Sequence, residues 1–434
     1  MSTTSDNQPT PQPLAPTGPT DDQLKAMQTR LLNALAAIRK TATPNQNQML
    51  DFLLNQANSQ ATSFLNGESS SSPVHNILAN VKSLLANAKV LPTPSGGLVA
   101  SSMSDEGDLV GTSIYESLDF GWTESAACWL EHIPPGNKAV FPTDPPATIQ
   151  IEDSVSIAIA GDWGTGFDYR TDKQPAPAEK VAEQIRNTSP TYSVHLGDVY
   201  YAGTESEENQ KFIDLWPEGS KASFTLNSNH EMYSGGLGYF NNVLKDPKFA
   251  AQKSSSYFAM QNDNWLVIAL DTAYHADEIH LYQQGNLDTD QCDFLDGLLN
   301  NDTKNRRTIL LTHHNGLSVD GVTLTALWGQ IAPRFANREL WWYWGHMHAG
   351  VVYSDRGNVH PRCCGHGAIP AGAPDSLASN PSAIWYESQQ ATDLLYSGRV
   401  RNGFVLLNLE DRALTETFIN EDGVKVFTQT FKDE

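Results

Sequence analysis

What most restricts the fold of this chain is a series of short apolar runs that begins at residue 155, each ending in a polar and mostly glycine-containing stretch. In order they are VSIAIAG, SVHLGD, SFTLNSN, WLVIALD, TILLTHH and LWWYWGH. Near-continuous apolar runs of this length read as strands covered on both faces, because a strand with one wet face alternates polar and apolar residues. Helical patterns fall between several of them, at residues 178–187, 206–215 and 290–299. Strands alternating with helices predict an α/β sheet that is at least partly parallel. In such sheets functional side chains gather where the carboxyl ends of strands meet loops.

Those strand ends carry metal-ligating residue types. Asp162 follows IAIAG, Asp198 follows SVHLG, Asn229 follows FTLNS, His313 follows TILLT, and His346 and His348 follow LWWYWG. Carboxylate, amide carbonyl and imidazole form a mixed oxygen and nitrogen set suited to Fe, Mn or Zn, unlike the thiolates of a structural zinc site. Six donors are too many for one tetrahedral ion. Two ions sharing a bridging carboxylate would use them all, and paired metals serve in-line displacement at phosphorus. Plainer readings stand beside this one: an Asp after a glycine can cap a helix, and a tyrosine after a strand can simply pack. His195 reads as a satisfied buried histidine, Asp271 as a cap or a support for a ligand, and His275 and His280 as surface residues. Adjacent cysteines cannot easily chelate one ion, so Cys363 and Cys364 read as the rim of a short loop. Arg362 beside them is a candidate contact for a substrate anion.

Outside this region the chain is less informative. Residues 1–20 are rich in Pro, Ser, Thr and Asn and predict a disordered tail. Residues 21–150 predict a helical and irregular N-terminal region. Leu24, Met27, Leu31, Leu35 and Ile38 form one helical stripe, Met49 to Phe64 suggest a second helix and Val74 to Ala88 a third, with a break at Thr93 to Gly97. The aromatic and proline-rich segment from Gly107 to Ile149 reads as irregular packing. The N-terminal helices are expected to cover one end of the sheet or to mediate assembly. With 28 Lys+Arg against 50 Asp+Glu, the formal charge of −22 disfavours duplex nucleic acid and anionic membranes as partners. Four cysteines, an N-terminus without a secretory pattern and the lack of a long apolar span predict a cytoplasmic protein.

Five blocks stand in order along residues 155–355: Gly161-Asp162-Trp163-Gly164, Gly197-Asp198-Val199-Tyr200-Tyr201, Ser228-Asn229-His230-Glu231, Thr312-His313-His314 and Gly345-His346-Met347-His348. In this order they resemble the calcineurin-like metallophosphoesterases, and within them the purple acid phosphatases, whose signature runs GDxG, GDxxY, GNH(E/D), a strand-end His and GHxH. The resemblance implies a two-sheet β-sandwich flanked by helices, with residues 151–434 as the catalytic domain. It implies that Asp162, Asp198, Tyr201 and His348 surround one metal ion, and that Asp198 bridges to a second held by Asn229, His313 and His346. Iron is the expected first ion, with Fe, Mn or Zn as the second. His230 is implied to contact substrate phosphate and help protonate the leaving oxygen. The implied reaction is hydrolysis of a small phosphomonoester by a metal-bound hydroxide, with Asp198 and His230 as the residues it depends on. A phosphodiesterase of the same chemistry, and a binding or scaffold protein on this fold, are the alternatives. Two departures stand out: Ser228 replaces the usual glycine, and His314 beside His313 offers a second imidazole, although the spacing to Ser318 favours His313.

Overall fold

The computed structural model describes residues 21–42, 44, 47 and 102–432, except 106, 111, 112, 117, 118, 120, 135, 143–145, 394, 395 and 397. The tail, the second and third N-terminal helices and the break expected at Thr93 to Gly97 lie outside the described residues.

One strand pair and two larger sheets follow the N-terminal helix α1 (Asp21–Thr41) among the described residues. A small antiparallel ribbon joins β1 (Ser102–Met103) to β2 (Leu109–Val110). Beyond it, fourteen strands build two facing sheets. The six-stranded sheet contains β4 (Ser154–Ala160), β5 (Tyr192–His195), β6 (Ala222–Thr225), β14 (Gly403–Glu410), β15 (Ala413–Asn420) and β16 (Lys425–Phe431), in the order β16-β15-β14-β4-β5-β6. The other is centred on β8 (Trp265–Leu270), β9 (Arg307–Thr312), β10 (Leu340–Trp344) and β12 (Val359–Cys364), with the shorter β3 (Ile149–Gln150), β7 (Phe258–Gln261), β11 (Gly350–Tyr353) and β13 (Ala383–Tyr386) at its edges. The six apolar runs are β4, β5, β6, β8, β9 and β10, so the sequence pattern located every strand of the two parallel cores except β12.

Both faces of these strands are covered, which is why they read as unbroken apolar runs. In β4, Ile157 and Ile159 point between the sheets, against Val267, Ile309, Leu311 and Trp341 of the facing sheet. Ala158 and Ala160 point outward, where small side chains let helix α3 (Pro177–Thr188) settle Val181 and Ile185 on the sheet. On the far side, Leu310 and Trp342 pack with Leu295 of the helix Thr289–Asn300. The result is a mixed α/β fold of two sheets flanked by helices, as the resemblance implied.

Register aligns the strand ends. Ala160 pairs with His195 and His195 with Thr225 in one sheet, while Leu270 pairs with Thr312 and Thr312 with Trp344 in the other. Parallel pairing therefore delivers the residues after each run to one edge of the sandwich.

Four expectations need correction here. Residues 122–132 form a helix, α2 (Trp122–His132), inside the segment read as irregular. Trp122 and Trp129, seven residues apart, lie on its buried face with Ala126 and Leu130, and α1 packs against it through Arg30, whose guanidinium donates to Glu124 and Glu131. The helix expected at 206–215 runs instead over residues 205–213, and Glu208–Ile213 winds as a π-helix. Cys363 and Cys364 are not on a loop rim: they end strand β12 and are buried. Arg362 in the same strand is no contact for a substrate anion, because its fully buried guanidinium is paired with Glu416 at 2.8 Å.

Candidate metal centre

Glycine precedes three of the expected ligands, Asp162, Asp198 and His346, where an added side chain would meet its neighbours. A Cβ on Gly345 would lie 2.7 Å from Oδ2 of Asp162, and one on Gly197, whose φ is +99°, would lie 2.7 Å from the Ser228 side chain. Asp162, Asp198 and His346 themselves take left-handed backbone, with φ of 58°, 75° and 65°. Such φ values are uncommon in non-glycine residues and typical of functional turns. The turns aim the side chains across the gap between sheets: the His346 amide donates to Asp162 Oδ2 at 2.8 Å, over 184 positions of sequence.

Two groups of donors result. Asp162, Asp198 and His348 form one and His313, His314 and His346 the other, and within each group the ligand atoms lie within 4.8 Å of one another. Asn229 joins the second, its Oδ1 lying 2.9 Å from His313 Nε2 and 3.1 Å from His346 Nδ1. Asn229 opens the short helix Asn229–Tyr233. Asp198 spans the two groups, with Oδ1 3.3 Å from His313 Nε2.

Proton placement shows that these residues suit cations. His313 Nδ1 lies 2.8 Å from the carbonyl oxygen of Leu196, which can only accept, so Nδ1 carries the hydrogen. Burial depresses the pKa of this ring, so Nε2 holds a lone pair. That lone pair faces the oxygens of Asn229 and Asp198, and the amide of Asn229 is oriented by its Nδ2 donating to the Tyr233 hydroxyl at 3.0 Å. Acceptors converging on acceptors, with no hydrogen between them, form an arrangement that a cation would satisfy. The carboxylates make the same demand. Asp162 and Asp198 are 0% and 1% exposed. Burial, and then repulsion from Asp198, hold the Asp162 pKa well above the usual range. Burial also works against charge on Asp198, but His313 and His230 outweigh it and hold its pKa well below. Burial lowers His346 to about 3 and His348 to about 4, leaving neutral rings able to ligate.

His314 is occupied otherwise. Its Nε2 donates to the Tyr282 carbonyl at 2.7 Å and its Nδ1 accepts from Thr272 at 2.8 Å, so neither nitrogen is spare in the neutral ring. His313 is the imidazole turned toward Asn229 and Asp198.

Tyr201 is not brought to the site, contrary to the motif spacing. Its hydroxyl donates to Asp119 and its ring stacks on Tyr115, beneath α2. Tyr200 takes its place: the hydroxyl lies 3.1 Å from Asp198 Oδ2, 3.4 Å from Asp162 Oδ1 and 3.3 Å from His348 Nε2. Two adjacent tyrosines leave the spacing ambiguous by one position, and the packing of Tyr201 against Trp122 and Tyr115, both outside the motif region, decides between them.

The remaining residues fall in place around this centre. His230 Nδ1 donates to the Tyr201 carbonyl at 2.7 Å, which turns Nε2 toward the cavity, 3.9 Å from Asp198 Oδ2. Ser228 does not need glycine's freedom: its φ of −137° is extended backbone. Its hydroxyl accepts from the His230 amide at 3.0 Å and contacts Asp198 and Glu231. Glu231, unmarked by sequence reasoning except as the last position of its block, accepts from the amides of Asp198 and Val199 at 3.3 and 3.2 Å and so supports the Asp198 turn. Burial and the nearby Asp198 raise its pKa to about 8. His195 is buried away from the centre against Phe212, with Nδ1 3.4 Å from Thr225 Oγ1 and Nε2 lacking a partner, so it is only half satisfied. Asp271 caps no helix: it closes a turn by accepting from the amides of Ala273 and Tyr274 at 3.0 Å, and it accepts from Asn227 Nδ2 at 3.1 Å. His275 and His280 pair with Asp288 and Asp277 away from the donors.

Two sheets meeting at an edge lined with buried carboxylates and imidazoles thus form a mixed α/β fold with a candidate metal site. Residues 155–350 match the calcineurin-like phosphoesterase family, and over that span the chain carries a calcineurin-like phosphoesterase domain. No curated protein matches the chain. Among solved structures it is similar to GAP50, the anchor in the inner membrane complex of Plasmodium, at 14% identity over 65% of this chain and 90% of that one, with a TM-score of 0.45. It is also similar to a predicted phosphoesterase from Streptococcus pneumoniae TIGR4, at 10% identity over 65% of this chain and 99% of that one, with a TM-score of 0.27. A Vps29 mutant from Entamoeba histolytica shares 11% identity over 64% of this chain and 99% of its own length, with a TM-score of 0.26.

Proposed function

We propose that this chain hydrolyses phosphate monoesters at a centre of two metal ions, in the manner of the purple acid phosphatases. The observation that carries this reading is the lone pair of His313 Nε2 held against the oxygens of Asn229 and Asp198 with no hydrogen to share. Asp162, Asp198, His348 and Tyr200 would hold one ion, and Asn229, His313 and His346 the other, with Asp198 common to both. An iron ion paired with Fe, Mn or Zn suits this mixed donor set. Bound there, the ions supply charge neutralisation at the phosphoryl oxygens and lower the pKa of water toward neutrality.

The chain's own residues supply the rest. His230 is held by the Tyr201 carbonyl so that Nε2 faces the cavity, where its protonated form can pass a proton to the departing alkoxide. Glu231 and Ser228 keep the Asp198 carboxylate aimed inward. Among the described residues no helix is long and apolar enough to cross a membrane. All four cysteines are free thiols, which favours a reducing compartment such as the cytoplasm.

The test is elemental analysis of the purified protein together with a screen of phosphomonoesters and diesters under Fe, Mn and Zn. About two metals per chain and turnover of monoesters, both lost in Asp198→Ala, are the expected results. Near-normal turnover in Asp198→Ala sinks the assignment, a preference for diesters moves it to phosphodiesterase, and failure to take up metal points to a scaffold.

A further inference from the structure

The cavity over the candidate centre, about 590 Å3 in volume, has walls whose chemistry differs from its floor. The floor is Asp198, Asn229, His230, His346 and His348. Leu109 and Trp122 line one side, Val319 and Leu324 another, and Ile369 a third. The Leu324 wall is built rigidly. Residues 317–324 form a tight hairpin, closed by the Leu317–Leu324 bridge and by the Ser318 amide donating to the Thr323 carbonyl at 2.9 Å, and Leu324 stays 50% exposed at its rim. A large apolar side chain left in water beside a catalytic cavity is a surface that a ligand can cover. The polar groups higher in the cavity are neutral, such as Gln283 and Asn315.

Charge makes the distinction sharper. Among the described residues lining this cavity there is no lysine or arginine, and the one charged side chain on the walls is an acid, Asp108, whose Oδ1 lies 4.0 Å from His348 Nδ1. Asp108 reaches the wall because residues 108 and 371 form an antiparallel bridge. On the hydrolase reading, the floor would take one phosphoryl group. A second anionic group further out would leave water for apolar walls and a carboxylate, with no lysine or arginine among the described lining residues to receive it.

We propose that the cavity selects phosphomonoesters of uncharged, apolar alcohols or phenols, and that the Val319–Leu324 hairpin and Asp108 reject substrates bearing a second negative group. The assignment rests on the hydrolase reading above, and its test separates the two. Para-methylbenzyl and para-carboxybenzyl phosphate have the same reacting bond and differ in one remote charge. With Fe, Mn or Zn supplied, kcat/KM for the methyl compound is expected to exceed that for the carboxy compound by at least about tenfold. Replacing an exposed wall residue by a cation, Leu324→Lys or, should that variant fail to fold, Thr323→Lys, is expected to lower the ratio about fivefold or more. The corresponding non-hydrolysable benzylphosphonates are titrated calorimetrically under the same metals. Discrimination between the two phosphonates without turnover of either phosphate sustains the pocket assignment and removes the hydrolase reading. Equal affinity for the phosphonates, no measurable binding of either, or a ratio that neither lysine variant moves overturns the pocket assignment.

Discussion

Arg362 offers the sharpest test of how this sandwich is held together. Its guanidinium donates from Nε and Nη2 to Glu416 at 2.8–3.0 Å and from Nη1 to the carbonyls of Tyr353 and Pro361. Tyr343 donates its hydroxyl to the same carboxylate at 2.7 Å. Both side chains of the pair are 0% exposed, and they tie β12 of one sheet to β15 of the other. Burial works against the charge on Arg362, but Glu416 outweighs it and holds the pKa above its ordinary value. Removing one partner leaves a fully buried charge without compensation, which costs about 3–5 kcal/mol. Arg362→Met and Glu416→Leu are each expected to lose that amount in urea unfolding. The double variant is expected to lose much less than the sum, because an apolar pair of similar volume removes both desolvation costs. Single variants within about 1 kcal/mol of the parent would refute the reasoning. An Arg362→Met protein of unchanged stability whose KM for a small phosphoester had risen would instead restore the arginine as a substrate contact.

Other outcomes follow from the same geometry. If iron occupies the Asp162 group, Tyr200→Phe is expected to abolish any visible tyrosinate charge-transfer band and Tyr201→Phe to keep it; the opposite pattern in absorption spectra returns the ligand to Tyr201. Gly345→Ala places a methyl group 2.7 Å from Asp162 Oδ2, and is expected to reduce the bound metal below two per chain, read by elemental analysis, with activity falling by about tenfold or more. Unchanged stoichiometry would show that the turn can yield. Burial raises the Glu421 pKa, but Arg399 and Lys180 outweigh it, so the folded value lies below the ordinary 4.5. The stabilisation from Glu421 is therefore complete above pH 4.5 and lost as pH falls through the lowered folded value. Urea midpoints measured along the acid limb should fall less steeply in Glu421→Gln than in the parent, and parallel limbs would count against the linkage.

Much of the centre was legible because each expected ligand ends an apolar run, and a run of that kind has few ways to fold other than as a doubly covered strand. Strand type and ligand order are properties of local sequence, since hydrophobic patterning acts over a few residues, whereas the need for glycine at position 345 comes from Asp162 of the other sheet. The choice between Tyr200 and Tyr201 was not available in this way, because it depends on Tyr115 and Trp122 far upstream taking up the second ring. The choice between His313 and His314 waited on the carbonyls of Leu196 and Tyr282, which settle where each ring carries its hydrogen. Arg362 was misread for a related reason: its partner lies 54 positions away in the other sheet, and a buried ion pair has no signature in the residues beside it. Likewise Asp108 and Leu324 line one cavity only because separate loops close over the same strand ends. Composition and periodicity determined which segments would be buried and which donors they would carry; the tertiary structure alone decided which side chains meet, because pairing between distant segments is selected by the packing of the whole and not by any single stretch.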